Sequence, residues 1–219
     1  MSEEILINVA PQETRVAVID NGVLQEVYIE RTEKRGLVGN IYKGKVVRVM
    51  PGMQAAFVDI GLERAAFIHA ADIVTLDENG MEHRNLIVPD IRTLVHDGKS
   101  LIVQVIKEPI GTKGARLTTH LSVSSRFLVY MPYTNHIGIS QKIENEAERE
   151  RLLRIVESCL PISNREHAGG FIVRTVAENA LADEIQTDAK KKKKLWGDLK
   201  PELGSFSAPN VIYNDLPLF

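Results

Sequence analysis

Phe57 and Phe67 stand ten positions apart, each preceded by a pair of alanines, Ala55-Ala56 and Ala65-Ala66. Both fall in short apolar runs that read as strands, divided by Gly61. Lys43, Lys45 and Arg48 precede them on an alternating run that lets these cations reach water. Lys113 follows in the turn Gly111-Thr112-Lys113-Gly114. Aromatic rings on a strand surface stack nucleobases, and neighbouring lysines track phosphates. A phenylalanine in a strand is more often core. The repeated pattern, with small residues beside each ring and cations alongside, raises the alternative reading of Phe57 and Phe67 as an exposed stacking platform.

A second candidate is Arg174-Thr175 in the run FIVRTVA. Arginine presents a planar fork of donors that matches a phosphate, and threonine adds a hydroxyl. Taken alone, such a pair more often belongs to a surface ion pair.

Hydrolytic chemistry finds no support. The sequence has no Ser/His/Asp constellation, no HExxH and no phosphate-binding loop of the P-loop kind. Asp20, Asp59, Asp72 and Asp90 fall on different elements, whereas two-metal catalysis needs carboxylates converging on neighbouring ions. His69, His83 and His96 are too scattered to claim a metal. The single cysteine, Cys159, rules out an internal disulfide and a cysteine-only zinc site; it lies on an apolar helical stripe as an inert, buried thiol. No catalytic residue and no metal ligand is assigned.

The 219 residues suit one large or two small domains, and 44% apolar with 26% charged residues is ordinary for a globular protein. Net charge is −2, so basic residues do not coat the molecule. They gather in 31–48 and 99–126, around the aromatic pair, while acids pool in 144–157. That distribution suits a local nucleic-acid track, although a solvated charged face gives the same counts. The five lysines 190–194 sit on a helix and read as a solvated face rather than an RNA patch. No stretch approaches a membrane span and the acidic start is no signal peptide, which makes the cytoplasm the expected compartment.

The elements that must position these residues follow from periodicity and turn signals. Residues 5–8, 15–19 and 24–29 read as strands, with Asn21-Gly22 a tight hairpin turn. This opening sheet is too small for a core of its own and must pack on something later. A barrel then spans 36–119, with strands at 42–49, 54–60, 65–69, 101–106 and 115–118. A long rim loop covers 74–88, and a helical turn 90–96. Beyond it come strands at 127–131, 137–140 and 171–176. A first helix is capped by Asn145, with Glu148 in a capping-box position, and is stopped by Pro161. A second starts near Leu181, its apolar face Leu181, Ile185, Ala189, Trp196 and Leu199. Lys192 falls on that face. The strand 211–213 reads as cut off in mid-domain.

The run GKV…AAFVDIG…AAFIHAADI resembles an S1-type oligonucleotide-binding barrel. NIYKGKV before it, with VHDGKSLIVQVIKEPIGTKGARLTT and FIVRTVAE after it, resembles the ribonuclease E/G family from Leu6 to about Trp196. The resemblance implies an α+β fold: an S1-type OB-fold barrel (36–119) inserted into an incomplete RNase H-like domain (1–35, continued at 208–219), followed by a small α/β 5′-sensor subdomain (120–207). It implies that Phe57, Phe67 and Lys113 bind RNA. Arg174 and Thr175, completed by Val129 and backbone around Ser125, would form a pocket for a 5′-monophosphate. Ser125 stands where ribonuclease E has glycine, and Lys192 where relatives tend to have leucine. The implied parent is a magnesium-dependent endoribonuclease cutting single-stranded RNA, a homodimer with zinc at its subunit link. The magnesium and zinc sites map to no position in this chain, so it alone would bind without cutting. The other readings are a non-catalytic single-stranded RNA-binding protein and a protein-interaction domain.

Overall fold

The computed structural model describes residues 3–76, 81–83, 88–160 and 169–215, with backbone alone for Lys34 and His83. The turn tetrad 77–80, Arg84 and Pro161 therefore lie outside the described residues.

Strands β1 (Glu3–Val9), β2 (Glu13–Asp20) and β3 (Val23–Arg31) form an antiparallel sheet in that order. Asn21 and Gly22 join β2 to β3 with φ of 48° and 79°, the doubly left-handed turn that Asn-Gly favours. Neighbouring strand residues point to opposite faces, yet Ile5 and Leu6 are 61% and 55% exposed. Both faces of the sheet thus stay open. Among the described residues no later element supplies the cover that its apolar content calls for.

Strands β4 (Ile41–Met50), β5 (Ala55–Asp59) and β6 (Ala66–His69) begin the barrel. On the rim, β7 (Thr75–Leu76) and β8 (Glu82–His83) pair as a two-residue ladder inside the expected loop. Helix α1 (Ile91–Leu94) follows, capped by the Asp90 carboxylate accepting from Arg92 N. Strands β9 (Ser100–Lys107) and β10 (Arg116–Thr118) complete the sheet in the order β4-β5-β6-β10-β9, and β9 pairs back onto β4. Five strands thus close on themselves around Val46, Val58, Ile68, Val103, Val105 and Leu117, all fully buried. Closure removes the exposed edges of an open sheet. At Gly114 a Cβ would lie 2.0 Å from the Ala65 carbonyl oxygen, so only glycine lets the chain approach β6 there.

The remainder is a mixed sheet backed by helices. Strands β11 (Val123–Ser124), β12 (Leu128–Met131), β13 (Ile137–Ile139) and β14 (Gly170–Val173) lie in the order β11-β12-β14-β13, with β13 parallel to β14. Leu128, Tyr130, Phe171 and Val173 bury one face. Against it pack Leu152 and Val156 of α2 (Glu146–Ser158) and Ile185, Ala189 and Trp196 of α3 (Ala182–Leu199). Val129 and Ile172, in register on β12 and β14, occupy the opposite, open face.

Several side chains depart from the sequence reading. Asn145 caps α2 through Glu148 N, but the Glu148 carboxylate turns away from the cap and binds Arg151 and Asn179 N. Leu181 is the N-cap of α3 and 70% exposed, because the face that buries Ile185 begins one turn later. Lys192 does lie on the buried face, where its long stem can fill apolar space. Cys159 is only half-buried, just past α2, and burial raises its thiol pKa. Lys43 is not free: its ammonium donates to Leu203 O (2.8 Å) at α4 (Glu202–Ser205), a helix the pattern did not announce.

Strand β15 (Asn210–Tyr213) pairs antiparallel with the first residues of β4 rather than with β1–β3. Asp215 N then donates to Asn40 Oδ1 (2.8 Å), and Arg35 Nη2 to Asp215 O (3.5 Å). The chain thus returns to the connector by which it entered the barrel.

Candidate nucleic-acid interface

The barrel's outer face carries a row defined by register. Arg48 on β4 pairs with Phe57 on β5, Phe57 with Phe67 on β6, Phe67 with Arg116 on β10, and Arg116 with Lys107 on β9. Residues directly opposite one another project to the same face. One line across all five strands therefore reads cation, ring, ring, cation, cation. The two rings meet edge to face with centroids 6.1 Å apart, and both are half-buried. Their inner neighbours Ala56, Val58, Ala66 and Ile68 form the core, which turns the rings outward.

The rings line a groove of about 800 Å³ shared with Met53, Arg64, Lys107, Ile110 and Lys113. The turn presenting Lys113 is closed by paired backbone bonds between Ile110 and Lys113 (3.2 and 3.0 Å), and Arg64 bonds the Gly111 carbonyl. The structure thus brings Phe57, Phe67 and Lys113 to one groove. Arg116 is fixed by Asp72 (2.9 Å), whereas Arg48, Lys107 and Lys113 are exposed. Glu108 also lines the groove, but its carboxylate accepts from Leu37 N and Val38 N at 2.6 and 2.9 Å. An apolar floor with cations at its margins can stack bases and neutralise a phosphate backbone.

The second candidate lies where β14 ends. Arg174 follows the last strand residue, Val173, and Thr175 starts a single 3₁₀ turn, so the strand is shorter than the pattern suggested. The Arg174 N–H donates to Phe127 O (2.9 Å), and its Nη1 donates to Ser125 O (2.5 Å). Its Nε and Nη2 have no partner among the described residues. The Thr175 hydroxyl lies 3.0 Å from Ser140 Oγ. Ser125 is internally occupied: its N–H donates to Leu128 O (2.8 Å) and its hydroxyl is 2.6 Å from Asp188 Oδ2. Val129 stands on the open sheet face beyond the same turn. Nearby, Glu148 and Arg151 of α2 hold Asn179 N (2.9 Å) and Ala180 O (3.1 Å). The Arg151 guanidinium, followed by the Asn179 N–H, pulls the Glu148 pKa down to about 2.

The scattered carboxylates have structural partners. Asp59 accepts from Gly61 N, Asp72 from Arg116, and Asp90 from Arg92, which holds its pKa well below the usual carboxylate range. Asp20 accepts from Asn21. His69 accepts from Ala71 N, and Nδ1 of His96 lies 3.0 Å from Asp97 O. Among the described residues no group of three His, Cys, Asp or Glu side chains is placed to hold a metal ion.

Residues 37–119, the barrel, match the S1 RNA binding domain, and residues 122–219 match the Ribonuclease E/G family. The chain belongs to the ribonuclease E/G family. It is 54% identical to Ribonuclease G of Salmonella typhimurium over 90% of its own length and 40% of that protein's. It is 50% identical to Ribonuclease G of Haemophilus influenzae over 97% of this chain and 43% of the relative. Ribonuclease E of Escherichia coli is 35% identical over 97% of this chain and 20% of its own length. The chain thus spans about two fifths of the first relatives it matches.

Within this family member, the sequence had not signalled the roles of Lys107, Asp188 and Ser140. Alternation had already turned Arg48 to water, but only register sets it opposite Phe57. Asp188 sits 63 residues from Ser125, and no local pattern joins them.

Proposed function

We propose that this chain is the RNA-binding and 5′-monophosphate-sensing half of a single-strand-specific endoribonuclease of RNA processing and decay. The observation that carries the reading is the line of rings and cations across the barrel. Phe57 and Phe67 stack successive bases, while Lys113, with Lys107 and Arg48, follows the phosphates. Arg174 offers its unused donors to the terminal phosphate, Thr175 adds its hydroxyl, and Val129 with the Ser125 turn borders the site. A pocket fitted to one phosphate excludes a triphosphate and favours RNA already processed at its 5′ end.

We further propose that the N-terminal sheet is one piece of an RNase H-like domain interrupted by the rest, with residues 208–219 resuming it. An insertion requires its two ends side by side, and the bond from the Lys43 ammonium to Leu203 O (2.8 Å) supports that. The sheet's open apolar faces also call for a cover. The parent is read as a cytoplasmic homodimer that needs magnesium for cleavage and zinc at its subunit link. The carboxylates described here do not converge, so no hydrolytic step is assigned to this chain.

The test is a binding titration of the purified chain with one single-stranded RNA carrying either a 5′-monophosphate or a 5′-hydroxyl, with magnesium present. Tighter binding of the monophosphate without cleavage is expected. Equal affinities, or cleavage that persists through repurification and vanishes on mutation of one of these aspartates, would refute the reading. A non-cutting RNA-binding protein is separated from it by the coding sequence past Phe219.

A further inference from the structure

The phosphate pocket proposed above depends on a turn that no sequence motif marks, and α3 reaches that turn with one carboxylate. A single oxygen of Asp188 accepts both the Ser125 hydroxyl (2.6 Å) and the Phe127 N–H (3.0 Å). The Ser125 hydroxyl has one proton and a second acceptor within reach, Leu128 O at 2.8 Å. The shorter contact to a charged oxygen takes it. On its far side the same turn gives three carbonyls to Arg174: Ser125 O (2.5 Å) and, more distantly, Arg126 O (3.5 Å) to Nη1, and Phe127 O to the backbone N–H (2.9 Å). The turn is therefore held by α3 and itself holds Arg174. Asp188 is borne rigidly, because Ile185 and Ala189 beside it are fully buried against the sheet.

We infer that Asp188 is a positioning residue for phosphate recognition: it sets the 125–127 turn, and through the Ser125 carbonyl it orients the Arg174 guanidinium. This rests on the reading of Arg174 as the phosphate contact. Asp188 works by geometry, since a negative charge facing a phosphate pocket gives the ligand no attraction. An asparagine whose side-chain oxygen takes the place of the carboxylate oxygen keeps both accepted bonds, whereas an alanine keeps neither.

The experiment compares 5′-monophosphate with 5′-hydroxyl RNA on wild type, Asp188→Asn, Asp188→Ala and Ser125→Ala, with thermal melting of each. Loss of a partner that orients a metal ligand typically costs about tenfold or more in affinity, and the same scale is expected for a partner that orients Arg174. Asp188→Ala should lower the monophosphate preference by about that factor while 5′-hydroxyl RNA binds as before; Asp188→Asn should retain the preference. Ser125→Ala, which removes one of the two bonds at the half-buried turn, should fall between them. A wild-type preference retained in both alanine variants would overturn the role of Asp188 and leave the pocket standing. Equal loss in Asp188→Asn and Asp188→Ala would overturn it too, by making charge the determinant. Equal affinity for the two RNAs in wild type would overturn the pocket and this inference together. If Asp188→Ala fails to fold, the Ser125→Ala and Asp188→Asn results still decide.

Discussion

In the barrel groove, Phe57, Phe67, Lys107 and Lys113 stand directly on strands or a short turn and meet solvent. Around Arg174 the groups are already bonded to one another: Arg174 to the 125–127 turn, that turn to Asp188, Thr175 to Ser140. A surface of side chains standing on strands tolerates any base sequence, because each ring and ammonium acts on its own. A network holds one donor set in one orientation, and so can separate one phosphate from a hydroxyl. The groove should therefore lose affinity only when a contacting residue is changed, whereas the pocket should also lose discrimination when a residue that never touches RNA is changed.

The largest expected effect is in the groove. Replacing both Phe57 and Phe67 by alanine should weaken single-stranded RNA binding about a hundredfold with the melting temperature little changed, at roughly 1–3 kcal/mol per stacked base. An unfolded double variant would make the rings core residues and dissolve the contrast. Next, Arg174→Ala should remove a monophosphate preference of about tenfold or more, a charge-assisted contact contributing roughly 1.5–3 kcal/mol. Affinity for 5′-hydroxyl RNA should hold, and a parallel loss for both RNAs would mean that Arg174 merely adds to the general track. Third, Lys107→Ala should reduce affinity only about threefold but flatten the salt dependence of binding by ~0.7 in log-log slope, the share of one phosphate on a single strand. An unchanged slope would take Lys107 off the phosphate path.

The smallest effect tests how firmly the Arg174 side is braced. Glu148→Gln should lower stability at neutral pH by about 1 kcal/mol, measured by urea unfolding. The Glu148 carboxyl titrates near 2 in the fold against an ordinary 4.5. Its stabilisation is thus complete above the ordinary value and lost as pH falls toward the folded one. The gap between wild type and variant should shrink progressively between about pH 5 and pH 2. A gap independent of pH across that range would remove Glu148 as the brace.

Local rules carried much of this molecule. Asn21-Gly22 made its hairpin because only small left-handed residues fit that turn. The five barrel strands appeared where alternation and Gly61 placed them, and Phe57 and Phe67 came to one groove because their spacing matched a tight antiparallel pair. What stayed hidden depends on tertiary pairing. The line from Arg48 to Lys107 exists only once register is known, and β15 joined β4 rather than the opening sheet through pairs 167 to 172 residues apart, Asn210 with Lys43, Val211 with Tyr42 and Tyr213 with Ile41. Glu148 left its capping position because Arg151, one turn on, offered a charged partner. Asp188 looked like one more polar residue on a charged helix.

The bond between Asn40 and Asp215 has a practical consequence for engineering. A unit whose first and last residues already touch can be spliced into a host loop without stretching the host backbone. The stretch from Asn40 to Asp215 is therefore expected to serve as a transplantable cassette. Placed in the surface loop of an unrelated carrier, it should hand that carrier a capacity for RNA capture while the carrier's own fold melts as before.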